Sequence, residues 1–317
     1  MNALIIKELD VMRRTSASEE KGGHKSRQYA TAIKTIQALP ADIASMADVP
    51  SGAGTGIGDK IREKISEILD TGALAAADKA RATKAPDTLD IFRKIYGVGP
   101  KKAAELVAAG YTTIASLMGA PLNKNQRTGL LYYEDLQLRI PRVEMEVHEA
   151  KLMSHKPAGL EGVIVGSYRR GRPDSGDIDM MICTKDEFTD APKALATFVG
   201  TLRAAGYIKE ILALGDHKCL AISQLPGKPA RRLDLLVTPP TSFAPSVLYF
   251  TGSDGFNVHM RQVAKDKGFT LNEHGLMRTA TKVMVEGLKC ERDIFTALGL
   301  QWKEPAERTG PEAVVPK

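Results

Sequence analysis

Apolar residues recur along this chain at two different spacings, and the change from one to the other divides it. Over residues 4–80 the spacing is helical: Tyr29-Ala30-Thr31-Ala32-Ile33-Lys34-Thr35-Ile36 and Ile61-Arg62-Glu63-Lys64-Ile65-Ser66-Glu67-Ile68-Leu69 repeat apolar side chains three and four apart, which lines one helix face. Thr71-Gly72 closes the second run, since glycine takes the left-handed backbone of a helix end most easily. Residues 80–87 read as a linker, and a second helical block covers 88–139. Ile140-Pro141 interrupts it, and a further helix runs through Lys151. From Gly159 the pattern becomes strand-like with helices between, as far as Pro239-Pro240; a smaller mixed piece fills 241–302. The Pro- and Glu-rich tail from Lys303 reads as loosely packed. The expected fold class is α+β with several domains: an all-helical part over 1–82, a second helical subdomain over 83–140, a mixed β-sheet over 141–240, and a small α/β subdomain with the tail over 241–317.

Gly56-Ile57-Gly58-Asp59-Lys60-Ile61 and Gly97-Val98-Gly99-Pro100-Lys101-Lys102-Ala103 echo each other. Each is a Gly-apolar-Gly turn that opens a helix. Glycine lets a backbone pass close to a phosphate, and the N–H groups of a helix start point toward it. A single such turn is usually just a turn; two copies, each after a helical run, predict paired helix-hairpin-helix clamps that grip a nucleic-acid backbone without reading bases. Net charge adds little to this: the chain is +6 overall, and residues 1–85 carry 13 Lys/Arg against 11 Asp/Glu. Any polyanion must be held by placement rather than by bulk charge. Cys183, Cys219 and Cys290 are far apart and match no metal spacing, which suits a reducing compartment. No apolar run approaches a membrane span, and no signal-peptide pattern is present.

The segment richest in chemistry is Gly166-Ser167-Tyr168-Arg169-Arg170-Gly171-Arg172-Pro173-Asp174-Ser175-Gly176-Asp177-Ile178-Asp179, followed by Met180-Met181-Ile182-Cys183. Alternate strand residues share a face, so Asp177 and Asp179 point the same way. Asp234, in Arg231-Arg232-Leu233-Asp234-Leu235-Leu236-Val237, lies in a second strand-like run and is placed to reach the same point. Most Asp-x-Asp pairs are solvated turns; one set in an apolar strand needs a partner, and clustered carboxylates suit hard divalent cations. Gly162-Val163-Ile164-Val165 reads as a preceding strand, and the Gly166-Ser167 turn with its arginines as a triphosphate cradle. Carboxylates for two metal ions beside a phosphate cradle point to nucleotidyl transfer.

With these residues the chain resembles the family X DNA polymerases, the beta type above all. The likeness continues through Leu248-Tyr249-Phe250-Thr251-Gly252-Ser253-Asp254, Asn257, Met260-Arg261, Lys267-Gly268-Phe269-Thr270-Leu271-Asn272-Glu273 and Asp293-Ile294-Phe295, and covers about residues 4–308. It implies a lyase-like helical domain, a catalytic palm and a nucleotide-selecting subdomain. It implies two Mg²⁺ ions, with Mn²⁺ as a substitute, on Asp177, Asp179 and Asp234, and a monovalent cation at the helix-hairpin-helix turns. Gly166, Ser167, Arg170, Gly176 and Arg142 would hold the triphosphate of a dNTP; Tyr249, Phe250 and Gly252 would crowd the sugar 2′ position; Asp254 and Asn257 would lie against the base pair. Lys25, Tyr29, Gly56, Gly58, Lys60, Gly97, Gly99, Arg232, Arg261 and Glu273 fall on DNA-side positions. Lys64 matches the Schiff-base lysine of a 5′-deoxyribose-phosphate lyase, with His24 nearby; the bland reading of Lys60 and Lys64 is a solvated basic helix face. The implied function is template-directed gap filling of base-excision-repair type, on gapped or nicked DNA with a 5′-phosphate. The enzyme is expected to be a monomer with repair-protein partners, in the nucleus of a eukaryote or otherwise cytoplasmic or viral.

Five departures stand out. A basic lyase-pocket residue of the family is Ala76 here, and Pro50-Ser51-Gly52-Ala53-Gly54-Thr55 lengthens the approach to the first clamp. The arginine that follows the third aspartate by two residues is Leu236, and the tyrosine after Glu273 is His274. Without that arginine to occupy Asp179, the acidic site is expected to be open to metal before the correct base pair forms. Gly255 replaces a bulky apolar residue and is expected to loosen the base-pair pocket. The alternatives are a template-independent terminal transferase, an RNA nucleotidyltransferase and a non-catalytic DNA-binding scaffold. The short Pro226-Gly227-Lys228-Pro229-Ala230 connection, the paired clamps and the intact carboxylates argue against them in turn. No additional N-terminal partner domain or C-terminal phosphoesterase segment is expected.

Overall fold

A computed structural model describes residues 1–17, 23–52, 54–82, 85–184, 186 and 190–317. The chain forms two units, Met1–Tyr133 and Glu134–Lys317. The first is helical: α1 (Asn2–Ala17), α2 (Gly23–Gln37), α3 (Asp59–Thr71), α4 (Ala75–Ala82), α5 (Ala85–Arg93), α6 (Pro100–Ala108) and α7 (Lys124–Leu131), with α8 (Tyr133–Gln137) at the boundary. The helical periodicity places Ile33 and Ile36 of α2 and Ile61, Ile65 and Ile68 of α3 in one core with Ile5 and Leu9 of α1. Gly72 caps α3 with φ +72°, its N–H donating to the Ile68 carbonyl, as its sequence position predicts. A second core gathers Phe92, Ile95, Val98, Ala103, Leu106 and Leu117. The expected linker over 80–87 is helix at both ends, where α4 finishes and α5 begins; residues 83 and 84 lie outside the described residues.

The second unit continues with β1 (Ile140–Pro141), α9 (Arg142–His155), β2 (Glu161–Ile164), α10 (Gly166–Arg169), β3 (Asp174–Ser175), β4 (Ile178–Cys183), α11 (Ala191–Ala204), β5 (Ile208–Leu214), β6 (Lys218–Ser223) and β7 (Arg231–Thr238). Five strands form one sheet in the order β2-β4-β7-β6-β5. The β4–β7 pair is parallel, whereas β2–β4, β6–β7 and β5–β6 are antiparallel. One face of β4 and β7 buries Ile178, Met180, Ile182, Leu233, Leu235 and Val237 against Leu152, Leu195, Phe198 and Leu202 of α9 and α11. The period-2 alternation therefore turns Asp177, Asp179, Met181, Asp234 and Leu236 to the other face.

That second face is acidic at one end and apolar at the other. Over the apolar end lies α12 (Pro240–Thr251), with Val247 packed on Val165, Met181 and Leu236. After it come α13 (Asp254–Asp266), the hairpin β8 (Phe269–Asn272) and β9 (Gly275–Arg278), and α14 (Glu291–Ala297). Phe256, Met260, Leu276, Ile294 and Phe295 form their core. The tail is not loose: Arg308 is 0% exposed, and Ala313 and Val314 join that core. Its apolar residues Ala313 and Val314, and the rings of Phe256, Phe295 and Trp302 that receive Arg308, outweigh the polar composition that suggested a loose end. Pro311 also occupies the space beside Gly255, where a Cβ would lie 3.2 Å from its Cδ. The space beside the glycine is therefore taken by the chain itself.

Candidate active site

Parallel pairing puts Asp179 directly across from Asp234, about 4.8 Å away in the hydrogen-bonding direction. Burial pushes the Asp179 carboxyl up to about 6; the Asp234 carboxylate adds to this and Lys218 opposes it. Asp234 is buried, and its Oδ1 is a buried oxygen with no hydrogen-bond partner. Its Oδ2 lies 3.1 Å from Lys218 Nζ. Asp177 accepts from Arg232 Nη2, and Arg232 Nε is 3.8 Å from Asp234 Oδ1. The structure thus brings all three carboxylates to one end of the sheet face, two of them engaged by cations of the chain. Among the described residues no three carboxylate, imidazole or thiolate groups close on a single point, which fits the turning of Asp177 and Asp234 toward these cations. A buried carboxylate oxygen without a hydrogen bond, on one of two crowded carboxylates, is nonetheless part of a donor set for a hard divalent ion. The expectation of an acidic site left free needs correction: Leu236 lies in the apolar cluster, but Arg232 and Lys218 hold two of the three aspartates. Neither was singled out as a partner of the acids, because their reach depends on strand register.

The Gly166 turn stands beside these acids. Gly166 has φ +65°, and a Cβ there would come 2.9 Å from Asp179 Oδ2, so glycine is required for both backbone and room. The expected open turn is a single helical turn, α10, tied to β4 by Val165 N–H donating to the Asp179 carbonyl at 2.8 Å. Ser167 Oγ donates to Ser175 Oγ at 3.0 Å. Arg142 donates to the Tyr168 carbonyl at 3.0 Å and stacks 4.4 Å over the Tyr168 ring. A Cβ on Gly176 would meet Arg139 Nη1 at 3.1 Å. Arg170 donates to the Thr251 carbonyl and leaves its buried Nε without a partner. Gly252 packs under that guanidinium, with Arg170 Nη1 3.2 Å from its Cβ position.

Sequence reasoning missed the anchor behind this turn. Arg169 donates to Glu291 at 2.6 and 3.0 Å and to Thr251 Oγ1 at 2.7 Å, and Arg308 donates to the same Glu291 at 2.6 Å. Burial alone would raise the Glu291 pKa; the two arginines outweigh it and hold the carboxyl below its usual range. Arg308 lies against the rings of Phe256, Phe295 and Trp302.

On α12 and α13, Tyr249 and Phe250 meet edge to face at 5.0 Å, Asn257 donates to the Tyr249 carbonyl at 2.6 Å, and Arg261 lies 5.6 Å over the Tyr249 ring. Asp254 is exposed in the first turn of α13. Glu273 and His274 face each other at 3.8 Å, and their carbonyls accept from Ser246 and Ser242 of α12.

In the first unit, Gly58 and Gly99 take extended backbone as the N-caps of α3 and α6, and Ile57 and Val98 are buried. Gly56 has φ +72°, and a Cβ would meet Ala32 N at 2.7 Å; Gly97 has φ +79°. Both expected clamps therefore have their turn-then-helix form. Lys60 is exposed, and Lys64, one turn on, donates to the Lys60 carbonyl at 3.3 Å. Tyr29 is buried in the core that α2 and α3 share, with His24 and Lys25 exposed on α2 and Ala76 exposed on α4.

Comparison with known proteins gives four consecutive matches. They are a helix-hairpin-helix domain over residues 1–74, the fingers domain of DNA polymerase lambda over 90–137, the DNA polymerase beta palm over 139–240, and the DNA polymerase beta thumb over 246–309. The chain is similar to DNA polymerase lambda of Rattus norvegicus, 33% identical over 301 residues, which is 88% of this chain and 52% of that one. It is also similar to DNA polymerase lambda of Arabidopsis thaliana, 30% identical over 308 residues, which is 90% of this chain and 58% of that one. The chain thus spans a little over half the length of these curated relatives. With the acidic strand pair lying inside the palm match and both glycine turns inside the helical ones, the chain belongs to the family X DNA polymerases.

Proposed function

We propose that this chain is a DNA-directed DNA polymerase that fills short gaps, adding a dNMP to a primer 3′-OH, and that its first unit is a 5′-deoxyribose-phosphate lyase. The observation that carries the polymerase reading is the parallel register of Asp179 and Asp234 beside the Gly166 turn. Mg²⁺, or Mn²⁺ in its place, held by Asp177, Asp179 and Asp234, would supply the positive charge that acidifies the primer hydroxyl and balances the triphosphate. The chain's own residues do the rest. Ser167 and Arg170 offer a hydroxyl and a guanidinium, and the Gly166 backbone leaves room for phosphate oxygens. Tyr249, Phe250 and Gly252 stand where a sugar 2′-OH would be crowded, which favours dNTP over NTP. Asp254 and Asn257 belong to the base-pair side, and Arg261 to the DNA. The helix starts after Gly58 and Gly99 would hold DNA phosphates on either side of the gap, with a monovalent cation at the turns. In the lyase reading Lys64 adds through its amine to the sugar aldehyde, with Lys25 and Lys60 on the 5′-phosphate.

The test is extension of a one-nucleotide-gapped, 5′-phosphorylated duplex with dNTPs or NTPs and Mg²⁺ or Mn²⁺. Templated addition of one dNMP is expected, with Asp177→Ala or Asp234→Ala lowering it about a thousandfold while gapped-DNA binding stays nearly intact. Addition without a template, or full activity in either variant, would refute the reading.

A further inference from the structure

The acidic face carries a cation that the proposed chemistry does not use. Lys218 opens β6 and pairs across the sheet with Leu236, while Leu220 pairs with Asp234. Opposed residues of antiparallel strands share a face, so Lys218 stands on the acidic face, diagonal to Asp234. Its Nζ lies 3.1 Å from Asp234 Oδ2, and its side chain is 46% exposed against 11% for Asp234. The arginine absent at Leu236 thus has a cation directly across from it, one strand away.

One ammonium cannot balance what it faces. Asp234 Oδ1 stays buried without a hydrogen-bond partner, with Arg232 Nε no closer than 3.8 Å, and Asp179 adds a second carboxylate in register. Two crowded carboxylates favour a divalent ion over a single charge. Lys218 can give way at little cost: it rides a flexible four-carbon stem, is half in solvent, and needs no particular fork geometry. Arg232 differs, since its one guanidinium spans Asp177 and Asp234.

We propose that Lys218 is the internal counter-ion of the acidic site, resting on Asp234 until a divalent cation displaces it, and so setting how tightly the chain takes metal. This rests on reading Asp177, Asp179 and Asp234 as metal ligands. Occupancy by the lysine and by the metal are linked, so each weakens the other by the same factor. Lys218 is a positioning residue here; it touches neither primer nor nucleotide in this role.

The experiment measures Mn²⁺ binding to the full chain without DNA, by electron paramagnetic resonance of the free ion at fixed salt. Lys218→Gln is expected to tighten binding about fivefold, the size of a half-exposed ion pair. Lys218→Arg should stay within about twofold of the parent, and Lys228→Gln, an exposed lysine in the connection between β6 and β7, should change nothing. Asp234→Asn should weaken binding. Unchanged or weaker binding in Lys218→Gln, with Asp234→Asn weakened, overturns the counter-ion role and leaves the metal site standing. Unchanged binding in Asp234→Asn overturns the metal-site reading itself.

Discussion

Neutralising Glu291 should destabilise the second unit more than the loss of one hydrogen bond. Glu291 is buried and takes three hydrogen bonds from Arg169 and Arg308. Arg308 is 0% exposed and cannot reach solvent when its counter-charge is removed. Breaking a buried pair on one side costs about 3–5 kcal/mol. For a unit the size of 134–317, each kcal/mol moves Tm by about 2–4 °C, so Glu291→Gln should lower the melting of that unit by roughly 10 °C. Glu291→Leu combined with Arg308→Met should lose less than Glu291→Leu alone, because no charge is then stranded at the centre of the cluster and Arg169, partly exposed, can turn outward. Urea and thermal unfolding, followed by near-ultraviolet dichroism of Trp302, measure both. A fall of less than about 3 °C in Glu291→Gln, or a double variant worse than the single, would refute the argument. The pH dependence follows the same carboxyl: its folded pKa is depressed, so its contribution is present above the usual carboxylate range and lost as pH falls through the folded value.

Three further outcomes are expected. His148 is fully buried, bonded to Tyr207 Oη at 2.7 Å, and burial pushes its pKa from 6.5 down to about 4. The unfolded chain therefore binds its proton more tightly, and stability should fall by about 3 kcal/mol as pH drops from 6.5 to 4; urea midpoints should show a shallower fall in His148→Gln, and an identical fall would refute this. Borohydride should trap a covalent adduct with an abasic-site substrate in the parent and in Asp177→Ala but not in Lys64→Ala; full trapping in the last moves the nucleophile elsewhere, Lys60 first. Leu236→Arg with His274→Tyr places an arginine diagonal to Asp179 and should raise the ratio of correct to incorrect insertion in a one-nucleotide gap, tenfold for each ~1.4 kcal/mol recovered; an unchanged ratio excludes that latch as the source of selectivity.

The strand that carries Asp179 and the turns that open and close the helices were legible because each is local. The alternation around Asp179, the glycines at 56, 58, 97 and 99, and the Gly72 cap follow from backbone geometry that a few neighbours dictate. What stayed hidden depends on register or on distant partners. Lys218 heads an ordinary alternating strand, and only its pairing with β7 brings it to Asp234. Arg308 sits in a segment whose prolines and glutamates suggest solvent, yet three aromatic rings and Glu291 enclose it. Gly255 read as missing bulk because nothing local reveals that Pro311 returns to fill it.

The parallel joint between β4 and β7 has a consequence for how the chain acquires and varies its chemistry. Its two facing aspartates are about 55 residues apart in sequence, joined through α11 and the β5–β6 hairpin. Contacts closed over such a span are slow to form relative to local ones, so a nascent or partly refolded chain should have its helices and hairpins before it has a reactive centre. The same detour is elastic in evolution: extra residues in its loops cost little in closure entropy and leave the strand register untouched. Length changes there can reshape the surroundings of the acidic face without moving its aspartates.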